Sequence, residues 1–358
     1  SSTMSAAAAR RRKQLLQKQK QQQEQSTNGT DAVATRLKQL LSEELSETTA
    51  YEALQLAQSL LRKAVQTDHK DAVLEVTHNL CSKLLTGEKS DNNVYFIGMA
   101  SQILVEAAAA MLEVRVPANF ENIQKFVELD AFFTTALGKL NERDAIQEKQ
   151  RVKYLQKALK WSDLMGSVRY GDLKMNSLLA DALWVVGGEF RGDSVNHAAL
   201  AEEPSAIVQR LMACGDDEKE EVKQSERDVL LTRAVLVFCA VENLRDANAV
   251  LKAYMEADPS RDFDKLATDF LSKEVKVKSH VIFCTSVVGI LECEQKAGAL
   301  YTWLLGKFQG YLQRNPELLP YTTKIGKIYF NIQPPPSMLS QMENMMAMMG
   351  GMGAAGMG

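Results

Sequence analysis

The chain has 358 residues, of which 46% are hydrophobic and 24% are charged, and its formal net charge is −3. This composition is typical of a folded chain that is long enough for two compact domains or one elongated array. The near-neutral charge argues against nucleic acid as the main partner, because phosphate binding needs a concentrated basic face. No uninterrupted apolar run is long enough to cross a bilayer, so the sequence predicts no membrane-spanning segment.

Residues 1–30 have low sequence complexity. A run of alanines precedes the basic cluster from Arg10 to Lys13, and a stretch rich in glutamine and lysine continues to Gln25. These residues offer too little apolar area to offset the entropy that ordering would cost. We therefore expect the N-terminal segment to be disordered.

From Asp31 onward, apolar residues recur at the three- and four-residue spacing of a helix. The first two periodic stretches run from Val33 to Leu45 and from Ala50 to Val65. Turn-forming pairs such as Thr86-Gly87 and Asp258-Pro259 separate later ones. The pattern predicts further helices at roughly 71–86, 94–114, 119–140, 143–166, 171–187, 203–213, 226–242, 244–257, 261–272, 279–295, 297–314 and 317–330.

Alternation of apolar and charged residues is confined to Glu274 to Lys278, which could form one short strand or a linker. One strand cannot make a sheet, so the predicted fold class is all-α. Many helices joined by short turns favour an α-α superhelix, a tetratricopeptide-like solenoid of stacked antiparallel helix pairs. The repeats would be irregular, because no strict 34-residue period is present. A globin-like or bundle arrangement is the alternative.

Residues suited to catalysis or metal binding are scattered. None of the four histidines pairs with glutamate or cysteine at ligand spacing, so we expect no metal site, no cofactor and no enzymatic activity. The glycine-rich stretch Gly187 to Asp193 lacks the Lys-Ser/Thr ending of a phosphate loop and is interpreted as an inter-helix turn. The five cysteines form no CxxC pair, and their apolar neighbours predict buried, reduced thiols.

An ordered set of segments carries a family resemblance. The segments are Tyr51 to Leu56, Ala158 to Ser162, Tyr170 to Met175, Leu178 to Trp184, Leu231 to Val235, Asn243 to Asn248, Lys324 to Phe330 and Pro334 to Pro336. Together they resemble the helical-repeat scaffold of the guided-entry pathway for tail-anchored membrane proteins, the fourth Golgi-to-ER-traffic factor family. Each segment alone is repeat-like, and it is their order along the chain that is specific.

The resemblance implies a cytosolic, non-catalytic adaptor. Residues 31–170 would dock on the targeting ATPase of the pathway, and residues 171–333 would clasp a ubiquitin-like-domain partner or a larger chaperone scaffold. A co-chaperone would hand the hydrophobic tail anchor to this assembly. The alternative is a helical-repeat scaffold subunit of another cytosolic assembly, of the proteasome-lid or initiation-factor type.

Glu43, Glu44, Glu47 and Glu52 form an acidic cluster in the first helix pair. The simplest interpretation is a solvated helical face. As a patch, however, these residues are the best candidates for charge-steered docking of the ATPase, because complementary charge raises the association rate and fixes orientation.

Leu300, Tyr301, Trp303 and Leu304 load one late helix with large apolar groups. Most of them must belong to the core, because the last helices have to cover the open end of the array. Aromatic anchors are also what a groove uses to hold a partner segment. We take these four residues as candidates for contact with the ubiquitin-like partner.

Residues 334–358 form a tail rich in proline, methionine and glycine. We expect a flexible segment, isolated from the helices by Pro334 to Pro336. A methionine-rich surface can bind hydrophobic helices without shape specificity, so contact with a client or co-chaperone is one interpretation. A disordered tail or a self-association segment is the other.

Overall fold

The computed structural model describes residues 32–87, 94–140, 145–214, 220–258, 279–293 and 297–333. Every element in these ranges is helical, and no strand occurs within them. The chain divides into two compact units between Ala201 and Glu202. The predicted all-α fold is confirmed. The sequence-based halves divide earlier, after residue 170, and their assignment to separate partners remains a prediction.

Unit 1 is a series of helices, most of which pack against helices one or two places away along the chain. Its helices are α1 (residues 32–42), α2 (Glu47–Thr67), α3 (Lys70–Thr86), α4 (Val94–Glu113), α5 (Phe120–Gly138), α6 (Ala145–Met165), α7 (Leu173–Val186) and α8 (Arg191–Leu200). Short connections make neighbours antiparallel. Asp68 and His69 alone join α2 to α3, and Asp68 turns the chain with a left-handed backbone (φ 53°).

The helix starts follow from local capping. The Ser46 hydroxyl accepts a hydrogen bond from the Thr49 amide, and the Thr49 hydroxyl accepts one from the Ser46 amide at 2.8 Å. The Asn119 and Asp172 side chains accept hydrogen bonds from first-turn amides of α5 and α7, respectively. Each cap satisfies an amide that the first turn of a helix leaves without a partner.

Helix α4 lies at the centre of unit 1 and packs against α2, α3 and α6. Its residues Val94–Glu113 are long and apolar enough to cross a membrane, with a mean hydropathy of 1.5 over the best window, although no unbroken apolar run is present. The share of that window buried inside the protein is 61%. The hydropathy of α4 is therefore that of a core helix.

A buried ion pair joins α5 to α6. Arg151 donates from Nε and Nη2 to the two carboxylate oxygens of Asp130 at 2.9 and 2.8 Å, and Tyr154 donates its hydroxyl to the same carboxylate. Asp130 is 1% exposed. Burial disfavours the charged guanidinium, but the hydrogen bonds and charge of Asp130 outweigh it and raise the pKa of Arg151.

Unit 2 repeats the packing of neighbouring helices. Its helices are α9 (Pro204–Met212), α10 (Glu220–Ala240), α11 (Leu244–Ala257), α12 (His280–Glu292), α13 (Gly298–Lys307), α14 (Gln309–Arg314) and α15 (Leu319–Phe330). Helix α10 packs on α9, α11, α12 and α15. Its buried Asp228 accepts a 2.7 Å hydrogen bond from the Tyr254 hydroxyl of α11.

The structure corrects three local predictions. The turn that begins at Gly187 ends at Phe190, and Arg191, Gly192 and Asp193 open helix α8. The helix expected at 297–314 is interrupted at Phe308, which separates α13 from α14. The fifth cysteine, Cys293, is exposed, whereas the other four are buried as predicted. The expectations for residues 1–30, 261–272, 274–278 and 334–358 lie outside the described residues.

Candidate interaction surfaces

The acidic residues predicted for ATPase docking lie where α1 turns into α2. Glu43 and Glu44 belong to the connection between the helices, and Glu47 is the first residue of α2. All three side chains are exposed. A carboxylate in the first turn also interacts favourably with the positive end of the helix dipole, which accounts for Glu47 without any partner.

Glu52 is engaged within the protein. Arg36 of α1 donates from Nε and Nη2 to the Glu52 carboxylate oxygens at 2.8 and 3.2 Å. These hydrogen bonds hold the pKa of Glu52 below its usual value. The pair ties α1 to α2, so the acidic surface that points to solvent consists of Glu43, Glu44 and Glu47.

Helix α13 presents Leu300 and Trp303 to solvent. Their side chains are 48% and 51% exposed, and the spacing of three residues places both on one face of the helix. Lys307, one turn further, holds its ammonium 5.5 Å from the centre of the Trp303 ring. This contact is within cation–π range. We call Leu300, Trp303 and Lys307 the α13 face.

Tyr301 and Leu304 lie on the buried side of α13, in the core of unit 2, and each is 1% exposed. The Tyr301 hydroxyl donates to the Thr322 carbonyl oxygen of α15 at 2.8 Å. Burial raises the pKa of Tyr301, so it stays a neutral donor. These residues fix the orientation of the helix that presents Leu300 and Trp303.

Close packing against α15 also holds the start of α13. A Cβ at Gly298 would lie 3.2 Å from the Phe330 Cβ, so the two helices approach as closely as a glycine permits. The Tyr301 and Phe330 rings are 5.2 Å apart between centroids. The α13 face therefore sits on a fixed element, which is what a docking surface requires.

The sequence interpretation missed Lys307 as a member of this surface. Its spacing of four residues from Trp303 is the available signal, because such a pair shares one helical face. Within the described ranges, no group of three or more His, Cys, Asp or Glu side chains is arranged to hold a metal ion.

The stacked helix pairs define an all-α helical-repeat protein. The family model of Golgi to ER traffic protein 4 matches residues 69–352, which is most of the chain. The chain belongs to the Golgi to ER traffic protein 4 family. This is the family that the ordered segments of the sequence resemble.

Individual relatives agree with this assignment. Golgi to ER traffic protein 4 homolog B of Xenopus laevis is 26% identical over 185 residues, which is 52% of both chains. The Homo sapiens homolog is 26% identical over 188 residues, covering 52% of this chain and 51% of the relative. The chain thus spans about half the length of the first curated relatives it matches.

A solved structure supports the fold. The crystal structure of C. therm. Get4 aligns over 92% of this chain and 98% of its own, with a TM-score of 0.55 and 16% sequence identity. At that identity the likeness concerns the fold alone. It agrees with the all-α architecture seen in both units.

Proposed function

We propose that the protein is a non-enzymatic cytosolic adaptor in the insertion of tail-anchored proteins into the ER membrane. It would bridge a targeting ATPase, docked on unit 1, and a ubiquitin-like-domain partner, docked on unit 2. The observation that carries the proposal is that the two units expose surfaces of different chemistry. Unit 1 offers carboxylates, and unit 2 offers an aromatic and aliphatic face.

The acidic surface suits a charge-steered encounter with the ATPase. Glu43, Glu44 and Glu47 are exposed and carry the same charge, so they attract a basic partner from a distance. Glu52 contributes less, because Arg36 neutralises it. In our proposal Glu52 positions α1 against α2, and the remaining three glutamates meet the partner.

The α13 face suits a partner segment with an apolar side. Trp303 supplies a large, stiff contact area, and residues of this kind dominate binding energy when a partner desolvates them. Tyr301 and Leu304 anchor α13 in the core of unit 2. A co-chaperone that delivers the client would join through these two partners.

Charge reversal tests the ATPase surface. We expect Glu43→Lys combined with Glu47→Lys to lower the association rate with the ATPase and to leave the fold unchanged, since both side chains are exposed. The rate for the unmodified chain should fall as ionic strength rises past about 0.1 M, where the screening length is about 10 Å. Stopped-flow or surface-based kinetics would measure both effects.

The matched control for this test reverses two other exposed acids of unit 1, Glu113→Lys and Asp163→Lys. It changes the net charge by the same amount at other positions, so it should alter the association rate much less. An association rate that is indifferent to salt and to the Glu43 and Glu47 changes would point to an apolar ATPase surface instead.

Truncation of the α13 face tests the second contact. Leu300→Ala combined with Trp303→Ala should weaken binding of the ubiquitin-like partner by roughly 30-fold, since hot-spot residues contribute about 2 kcal/mol or more. Leu319→Ala is the control, because Leu319 is an exposed apolar residue of the same unit on α15. Equal binding by both variants would remove the α13 face from the interface.

A further inference from the structure

Helix α6 carries a row of lysines along its solvent-facing side. The four lysines follow one another at spacings of four, four and three residues, which keeps them on one face of the helix. One aliphatic residue lies about a turn beyond each end of the row. The six residues, which we call the α6 stripe, are Ile146, Lys149, Lys153, Lys157, Lys160 and Leu164.

The α6 stripe is narrow, long and exposed. At about 3.6 residues per turn, its members fall within roughly 80° of the helix circumference and extend over about 27 Å. Three of the lysines are exposed, and the fourth, Lys157, is half-buried. Ile146 and Leu164 are 67% and 55% exposed. The surface therefore offers a line of positive charge with an aliphatic side chain at either end.

The other side of α6 holds the stripe in a fixed orientation. Arg151 forms the buried ion pair with Asp130. Trp161 is fully buried and donates from Nε1 to the Val116 carbonyl oxygen at 2.7 Å. Because these contacts fix the helix against its neighbours, a partner meets lysines that are already aligned.

The lysines of the stripe have no counterion within the described ranges. Their side chains form no ion pair there, whereas Lys125 of α5 pairs with Glu121 one turn away. Of the two acids of α6, Glu148 is buried and Asp163 is exposed beside the stripe, so four positive charges face solvent next to one negative charge. Like charges four residues apart repel each other and disfavour the helix. An anionic surface along the row would remove this repulsion.

The composition of the stripe favours an anionic lipid surface over a protein or a nucleic acid. Protein interfaces are depleted in lysine and enriched in arginine, whose planar fork binds a carboxylate through two hydrogen bonds. Single-stranded nucleic acid is bound by stacking on aromatic side chains, and the stripe contains none. Clustered lysines on a helix suit anionic head groups, and aliphatic side chains suit the boundary between head groups and acyl chains.

We propose that the α6 stripe is a peripheral contact site for a membrane that exposes anionic phospholipids. The four ammonium groups meet the head groups, and Ile146 and Leu164 enter the boundary region at either end. Because the six side chains share one exposed face, a flat bilayer can reach them together. The contact is reversible, since each lysine contributes roughly fivefold to the partition coefficient.

This inference stands apart from the proposed bridging of two partners. Neither the acidic residues Glu43, Glu44 and Glu47 nor the α13 face contributes a side chain to the stripe. Membrane contact through α6 would bring the adaptor to a bilayer while both partner surfaces keep their own side chains. Its test therefore uses the full chain and needs neither partner.

Co-sedimentation of the full chain with lipid vesicles tests the site. We expect binding to vesicles with one third phosphatidylserine in phosphatidylcholine, and little binding to phosphatidylcholine alone. Binding to the anionic vesicles should weaken as ionic strength rises past about 0.1 M, where the screening length is about 10 Å.

Neutralising two lysines separates the stripe from the net charge of the chain. Lys153→Gln with Lys160→Gln should lower the partition coefficient about 25-fold, the product of two fivefold losses. Lys38→Gln with Lys70→Gln is the matched control, because both lysines are exposed in unit 1 outside α6. The control changes the net charge equally and should change binding little.

The aliphatic ends give an independent readout. Ile146→Gln with Leu164→Gln keeps every charge and removes the side chains that enter the boundary region. This variant should bind the anionic vesicles at least about threefold more weakly, with an unchanged dependence on salt. Both positions are more than half exposed, so the fold should be retained.

Three results would overturn the proposal. The first is equal binding to anionic and neutral vesicles, or binding to neither. The second is an equal loss in the stripe variant and in its Lys38 and Lys70 control. The third is binding to a soluble polyglutamate peptide in preference to the anionic vesicles, which would assign the stripe to an acidic protein partner.

Discussion

Each of the two units buries an aspartate that accepts a hydrogen bond from a tyrosine of the next helix. Asp130 of α5 pairs with Tyr154 of α6 in unit 1, and Asp228 of α10 pairs with Tyr254 of α11 in unit 2. The partners are 24 and 26 residues apart, respectively. The same tyrosine–aspartate hydrogen bond therefore joins two helices in each unit, as expected for related helix pairs.

The two aspartates also differ in the further contacts that the structure gives them. In unit 1, Arg151 donates hydrogen bonds to both carboxylate oxygens of Asp130 and adds a full positive charge beside them. In unit 2, Thr232 lies one turn after Asp228 and donates its hydroxyl to the backbone carbonyl oxygen of Asp228. The Cys284 sulfur lies 3.5 Å from the Thr232 hydroxyl oxygen. Unit 1 thus adds a bidentate arginine to the tyrosine at its buried carboxylate.

Among the substitutions at these two aspartates, removal of Arg151 should lower the free energy of unfolding most. Arg151→Met leaves the Asp130 carboxylate buried without its cation, and we expect a loss of about 3–5 kcal/mol in the free energy of unfolding. Denaturant unfolding, with hydrogen exchange followed separately in residues 32–201 and 202–333, would measure the loss and place it in unit 1.

The double variant Asp130→Leu with Arg151→Met is the control. It removes both charges, so a large part of the lost stability should return. If Arg151→Met alone costs less than about 1 kcal/mol, water or another group compensates the carboxylate and the contrast between the units fails.

The two tyrosines provide a smaller and directly matched test. Tyr254→Phe removes a hydrogen bond to a buried carboxylate and should cost about 1–3 kcal/mol. Tyr154→Phe should cost about 0.5–1.5 kcal/mol, because Arg151 still donates to both oxygens of Asp130. Thermal unfolding of the two variants measures both losses, and a loss above about 3 kcal/mol for Tyr154→Phe would contradict the role given to Arg151.

A pH dependence confined to unit 1 is the smallest expected effect. The Nδ1 atom of His197 in α8 lies 2.9 Å from the side-chain amide oxygen of Asn176. Burial lowers the pKa of His197. Below about pH 6.5, the ordinary value, the unfolded chain binds a proton that the folded chain resists. Stability should therefore fall as the pH drops below that value.

His197→Gln should remove this part of the acid sensitivity. The measurement is the free energy of unfolding of both proteins at pH 7.5 and pH 5.5. A larger loss in the free energy of unfolding of the unmodified chain than of His197→Gln, between pH 7.5 and pH 5.5, agrees with a buried neutral histidine. An identical loss in the two proteins would assign the acid sensitivity to other groups.

Helical periodicity in the sequence predicted most of the helices of the fold. The boundaries of α4, α7 and α11 lie within two residues of the predicted ones, because apolar spacing and capping side chains act locally. Helix α8 escaped notice because its sequence, rich in small and polar residues, has little apolar periodicity. The first turns of α10 likewise contain a single apolar residue, Val222, so no apolar period precedes residue 226.

The candidate sites were predicted less well, for two physical reasons. Leu304 is buried although it lies one helical turn after the exposed Leu300, so only the packing of α13 against its neighbours separates the two. Likewise, the capture of Glu52 by Arg36 depends on how α1 folds back on α2. Pairings of this kind join residues on different helices, and a linear pattern does not contain them.

The most direct test of the adaptor account is assembly of the three proteins in one complex, measured by size-exclusion chromatography with light scattering. We predict that the unmodified chain binds the ATPase and the ubiquitin-like partner at the same time. Glu43→Lys with Glu47→Lys should weaken only the ATPase contact, and Leu300→Ala with Trp303→Ala should remove only the ubiquitin-like partner. Competition between the two partners for one chain, or loss of both through either pair of substitutions, would contradict separate surfaces on the two units.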